Sequence, residues 1–179
     1  MKYLLSFLLS LPLFAAPSGL YLESNLGAAL KNSQSTSTQT LEYKDGFEGA
    51  VALGYQLDLW RVELEADYVQ NAVDSNSSQN SDLKRQSALL NLYFSGYNDS
   101  HFVSTVGIGL GISNLNLDQH SRENLFSYQA SFSVGYMFDE SWTLSLRYRY
   151  FGSSSFSMDG TDYDPLSQNH VTAGLRYLF

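Results

Sequence analysis

The chain contains no cysteine, which excludes a disulfide framework and thiolate chemistry. It has no apolar run long enough for a spanning helix, which needs roughly 20 residues. Its longest run, Tyr3 to Phe14, is broken by Ser6, Ser10 and Pro12. Positive charge is scarce: ten Lys and Arg stand against eighteen Asp and Glu, for a formal net charge of -8. Such a balance argues against a nucleic-acid partner. Helical periodicity is missing as well, because Gly interrupts almost every segment and no stretch holds a 3.6-residue period. The three histidines, His101, His120 and His170, show no metal-ligand spacing, so no metal site is expected.

What is present begins with a leader. Met1-Lys2 precedes the apolar run, and small residues follow at Ala15, Ala16 and Ser18. This is a secretory signal pattern over residues 1–18, with candidate cleavage positions after Ala15, Ala16 or Ser18. Its removal takes away Lys2 and moves the net charge from -8 to -9. Aromatics make up 15% of the chain, with 13 Tyr and 11 Phe, yet the mean hydropathy is only -0.20. That combination suits strands that are apolar on alternate positions only.

Residues 19–179 read as one domain of about eight such strands. The first covers 19–30 and the second 46–56. The third, 60–70, sets Trp60, Val62, Leu64, Ala66 and Tyr68 against Arg61, Glu63, Glu65 and Asp67. The fourth is 85–96. The fifth, 101–113, sets Val106, Ile108, Leu110 and Ile112 against three glycines. The sixth is 126–138. The seventh, 142–151, sets Trp142, Leu144, Leu146, Tyr148 and Tyr150 against Thr143, Ser145, Arg147 and Arg149. The last alternates Val171, Ala173, Leu175, Tyr177 and Phe179 with His170, Thr172, Gly174 and Arg176. Polar connections 31–43, 71–84, 114–125 and 152–166 are long; turns 57–59, 97–100 and 139–141 are short.

The pattern predicts an all-β fold, an eight-stranded antiparallel up-and-down transmembrane β-barrel, with bulky aromatics outside. A soluble eight-stranded barrel would invert it, apolar inside and polar outside. Register is fixed, because a one-residue slip would carry the charges of the third strand into lipid. Those charges need partners inside. Counting depth from Trp60 and Trp142, expected as periplasmic aromatic anchors, Glu65 matches Arg147 and Asp67 matches Arg149. Arg176 stands as far from Phe179 as Glu63 stands from Trp60. The expectation is a cross-lumen network of Glu63, Glu65 and Asp67 with Arg147, Arg149 and Arg176. Glu23, Asn25, Glu48, Asn91, Tyr93, Gln129 and His170 share the inward face.

No nucleophilic site emerges. His120-Ser121 with Glu123 has hydrolase residue types, but the acid is too close in sequence to orient that His. The chain resembles the small outer-membrane β-barrel family of opacity, OmpX/Ail and OmpA-barrel types. Trp60 to Glu65, Ala88 to Phe94, Val106 to Gly111, Tyr148 to Phe151 and Gly174 to Phe179 carry the resemblance. It implies a non-enzymatic outer-membrane protein without cofactor, surrounded by lipid and lipopolysaccharide and serving envelope integrity or adhesion. The barrel-assembly machinery would read Leu175, Tyr177 and Phe179. Termini are expected in the periplasm and the four long loops outside, where they could meet a host or extracellular ligand; a monomer is expected. A narrow solute channel and a lipid A-modifying enzyme are the alternatives.

Overall fold

In the computed structural model the described residues are 18–30, 33–35, 40–42, 45–73, 81–117, 123–158, 161–163 and 165–179. The proposed signal segment up to residue 17 and the candidate His120 and Ser121 lie outside them. Eight long strands form one closed barrel: β1 Gly19–Ala29, β2 Gly46–Leu57, β3 Trp60–Val73, β4 Ser81–Tyr97, β5 Phe102–Leu117, β6 Glu123–Met137, β7 Trp142–Ser153 and β8 Ser167–Leu178. Each pairs antiparallel with its sequence neighbours, and β8 closes on β1 from Tyr21 opposite Leu178 to Ala29 opposite His170. Two short hairpins, Ser33–Ser35 with Thr40–Glu42 and Phe156–Met158 with Thr161–Tyr163, rise from the long connections.

The short turns owe their shape to local chemistry. Asp58 takes φ 56° as the first of two residues joining β2 to β3, a conformation that Asp tolerates. The Asn98 side-chain oxygen accepts from the backbone N–H groups of Ser100 and Phe102. The Asp139 carboxylate accepts from those of Ser141 and Trp142. Each side chain thus replaces ladder partners that the turn removes.

The strands run past the expected boundaries at the other rim. β3 continues to Val73, β4 starts at Ser81, β5 reaches Leu117 and β6 starts at Glu123, so parts of 71–84 and 114–125 are ladder rather than loop. Beyond the apolar band the outward positions turn polar while inward ones such as Leu115 and Leu125 stay buried, and the backbone ladder persists. Asn114 and Asn124, for example, pair across β5 and β6 at 3.1 Å. The seventeen residues of β4 span about 56 Å, or roughly 43 Å of height at a tilt near 40°, against an apolar band about 25 Å tall.

The outward face is apolar almost throughout. Leu26, Leu64, Leu90, Ile108 and Leu146 are each at least 60% exposed. A water-soluble monomer does not sustain so continuous an apolar surface; a lipid-solvated one requires it. Aromatics ring the rim with the short turns: Trp60 meets Phe94 at 5.0 Å, Trp142 meets Tyr177 at 4.7 Å, and Tyr136 meets both Phe102 and Phe138. Ile108 faces outward between Leu92 and Ala130 of the adjacent strands. Ile108→Arg is therefore expected to cost about 2–4 kcal/mol in urea unfolding from lipid vesicles. A loss below about 1 kcal/mol would mean that this face does not meet hydrocarbon.

Candidate functional site: the charged interior of the barrel

Inward positions alternate large and small side chains across neighbouring strands, which is how a narrow barrel is filled. On β2 the inward residues are Glu48, Ala50, Ala52, Gly54 and Gln56. Ala50 and Ala52 stand between Asn25 and Glu23 on β1 and Asp67 and Glu65 on β3. The small side chains leave room for the carboxylates beside them. Not every aromatic is outside, as expected from bulk alone: Tyr21, Tyr93, Tyr97 and Phe151 are buried inward. Glycines on the adjacent strand admit two of these rings. A Cβ on Gly54 would stand 2.7 Å from Cε1 of Tyr21, and one on Gly107 would stand 3.1 Å from Cγ of Tyr93.

Among the described residues ten charged side chains lie inside, none more than 6% exposed: Glu23, Glu48, Glu63, Glu65 and Asp67 against Arg61, Arg85, Arg147, Arg149 and Arg176. Their charges balance five to five. Five of the chain's six arginines are among them, as suits a planar, weakly hydrated cation that can bridge several acceptors.

Glu65 is the centre. One of its oxygens accepts from Arg149 Nη1 at 2.5 Å and the other from Arg147 Nη1 at 3.3 Å. Arg149 also donates to Gln129 at 3.0 Å, lies 3.6 Å from Asp67 and pairs closely with Glu48. Arg147 pairs closely with Glu23, whose second oxygen lies 3.5 Å from Arg61. Asp67 lies 3.6 Å from Arg85, whose guanidinium sits 3.5 Å over the Phe151 ring. His170 Nδ1 lies 2.7 Å from Glu48. The structure thus brings together Glu65, Asp67, Arg147 and Arg149, with Glu23, Glu48 and Arg61 as further partners.

Glu63 and Arg176 take other partners than depth counting assigned. Glu63 accepts from Tyr21 at 2.9 Å and from Asn91 and Tyr93 at 3.2 Å. Arg176 donates to Thr143 at 3.1 Å, and no described carboxylate lies within 4.0 Å of it. The register explains why. Arg176 is level with Glu23 on β1 and Thr143 on β7, and strand tilt separates it from β3. Arg85 and Tyr21 were not singled out in the sequence. Their signal was parity alone, since Arg85 shares a face with Ser87 and Asn91, and Tyr21 with Glu23 and Asn25.

Apolar side chains adjoin the network towards both rims. Near the short turns Tyr97 and Val103 pack with Leu59 and Met137, and Gln56 donates to the Tyr97 hydroxyl at 2.5 Å. Towards the long connections Val69 and Leu115 flank Arg85 in register, and Leu125 and Phe151 are buried. Of the remaining expected positions, Trp60 and Trp142 face outward at the short-turn rim, 51% and 40% exposed. Leu175, Tyr177 and Phe179 line the outer face of the closing strand, where the Phe179 N–H donates to the Leu20 carbonyl. His101 stands in a short turn at φ 64°, remote from His170 in the interior.

Solved structures share this architecture. Neisserial surface protein A aligns with a TM-score of 0.68 and 20% identity, over 90% of this chain and 98% of its own. OprG of Pseudomonas aeruginosa aligns at 0.61 and 14%, over 92% and 99%. Ail of Yersinia pestis, in complex with the heparin analogue sucrose octasulfate, aligns at 0.52 and 13%, over 89% and 99%. At these identities the likeness is one of fold. No curated protein sequence matches the chain. The family described as outer membrane protein beta-barrel domain matches residues 3–179. With an eight-stranded barrel, an apolar outer wall and that match over nearly its whole length, the chain belongs to this outer-membrane β-barrel family.

Proposed function

We propose that the protein is a non-conducting, non-enzymatic outer-membrane barrel that supports the envelope and presents its long connections to the cell exterior. The observation that carries this reading is the interior. Ten mutually neutralising charges, each at most 6% exposed, occupy the middle of the lumen, and buried apolar side chains lie towards each rim. A hydrated ion would have to displace both. In this reading residues 1–18 are a signal peptide, both termini face the periplasm, Trp60 and Trp142 anchor the inner rim, and the assembly machinery reads Leu175, Tyr177 and Phe179 in a monomer.

The four long connections, 31–43, 71–84, 114–125 and 152–166, hold eight Asp and Glu against three Lys and Arg, a net charge of -5. That favours contact with lipopolysaccharide phosphates through divalent cations over binding of a sulfated polyanion such as the one bound to Ail.

Planar-bilayer recording tests the central point. The purified barrel is expected to give no stepwise conductance at neutral pH. The Arg147→Ala/Arg149→Ala double variant, if it inserts, is expected to leak. Regular openings of the unaltered protein would overturn the plug and favour the narrow-channel alternative.

A further inference from the structure

The charges of the lumen balance as a whole but not locally. A small cavity of about 10 Å³ lies in the half of the lumen nearer the short turns, lined by Arg61, Arg147, Arg176 and a single carboxylate, Glu23. Hydroxyls of Thr105, Ser133, Thr143 and Ser145, with Val103 and Gly135, complete its wall. We propose that this cavity is a binding site for one halide-sized anion, held by the three guanidinium groups.

The local bookkeeping of charge supports it. Both Glu23 oxygens are engaged, one by Arg147 and the other by Arg61. The nearby Glu63 is turned to Tyr21, Tyr93 and Asn91 and does not line the cavity. Glu65 also reaches Arg147, but its second oxygen belongs to Arg149. Among the described residues the hydrogen-bond acceptor of Arg176 is a neutral hydroxyl, that of Thr143. The Nε of Arg61 has no hydrogen-bond partner. Three arginines, each only 3–6% exposed, therefore line the cavity against one carboxylate, and Glu65, outside it, reaches only Arg147 of the three.

Two tyrosines soften the excess without removing it. Arg61 and Arg176 stand 5.5 and 5.6 Å from the ring centre of Tyr21. Arg61 and Arg147 stand 4.9 and 5.4 Å from that of Tyr93. A ring face offers a quadrupole, not a unit of negative charge, and uncompensated buried cations are costly. A mobile anion supplies what the side chains do not. Its class follows from the space, since the cavity has room for about one water-sized particle. A monatomic anion fits, whereas phosphate, sulfate and carboxylates do not. Hydroxyl and guanidinium N–H donors are the groups that solvate such an ion.

The test uses the full barrel folded into detergent with sodium bromide as the only halide. Anomalous diffraction at the bromine edge is expected to show one peak within hydrogen-bonding reach of Arg61, Arg147 and Arg176. In parallel, the urea midpoint is expected to rise with halide concentration when ionic strength is held constant with sodium gluconate. The rise should vanish in Arg176→Gln and weaken in Thr143→Val. Ordinary water density with no anomalous signal would overturn the proposal, and so would a halide-independent midpoint. If Arg176→Gln fails to fold, the bromide map of the unaltered protein still decides.

Discussion

Replacing Arg149 with Met is expected to cost about 3–5 kcal/mol in reversible urea unfolding, the range for removing one partner from a buried ion pair. Met keeps much of the length of the side chain and creates little void, so the loss reports charge. Without Arg149, the ion-pair partners left among the described residues are His170 for Glu48, Arg147 at 3.3 Å for Glu65 and Arg85 at 3.6 Å for Asp67. Three carboxylates would share the strain of one missing cation. The double variant Arg149→Met/Glu65→Gln removes one cation and one anion together. It is expected to recover a substantial part of the loss, as coupled neighbours do in a double-mutant cycle. A single variant within about 1 kcal/mol of the unaltered protein, or strictly additive losses, would show that the pairs are not coupled.

Gly27→Val is expected to prevent closure in most molecules. Gly27 faces Thr172 across the β1–β8 seam. An added Cβ would stand 2.6 Å from the Thr172 backbone Cα and 2.8 Å from its methyl, and would press on the Val171 carbonyl. The Val171 carbonyl and the Thr172 Cα are fixed ladder atoms rather than the free end of a side chain. The cost therefore lies at or above the upper end of overpacking, roughly 3 kcal/mol. On gels without heating, the compact fast-migrating band of a folded barrel should fall to a minority. Gly49→Ala supplies the control, because its Cβ would meet only Leu26 and Phe47 side chains at 3.6 Å on the outer face. Equal behaviour of the two variants would mean that the seam is not the sensitive point.

Much of this was legible in the chain because a half-buried strand writes its two environments into alternate residues. Trp60 to Tyr68 and Trp142 to Tyr150 declare both faces at once, and the closed antiparallel barrel follows from eight such segments. The upper ends of β3 to β6 were not legible, since polar residues stand there on both faces, Asn71 buried inward and Asn114 outward, and such residues read as loop. Inside the lumen, parity indicates which side chains point inward, but pairing depends on tilt and register across strands. Depth counting set Glu63 against Arg176, whereas the register sets Arg176 beside Glu23 and leaves Glu63 among tyrosines. The inward placement of Tyr21 likewise depends on Gly54, which is 33 positions away in sequence and adjacent only once β1 and β2 pair.

The seam between β1 and β8 has a kinetic consequence. Glu23 on β1 meets Arg147 on β7, 124 residues later, and β1 obtains its second neighbour only from the last strand to be made. Until β8 arrives, two unpaired edges remain, and an open edge is not tolerated in hydrocarbon. Long-range pairing of this kind is intrinsically slow. Sealing the wall and pairing Glu23 with Arg147 are thus late, concerted events. A chain stalled before β8 would carry exposed edges and unmatched charge together, which makes it a natural substrate for degradation rather than a stable half-barrel.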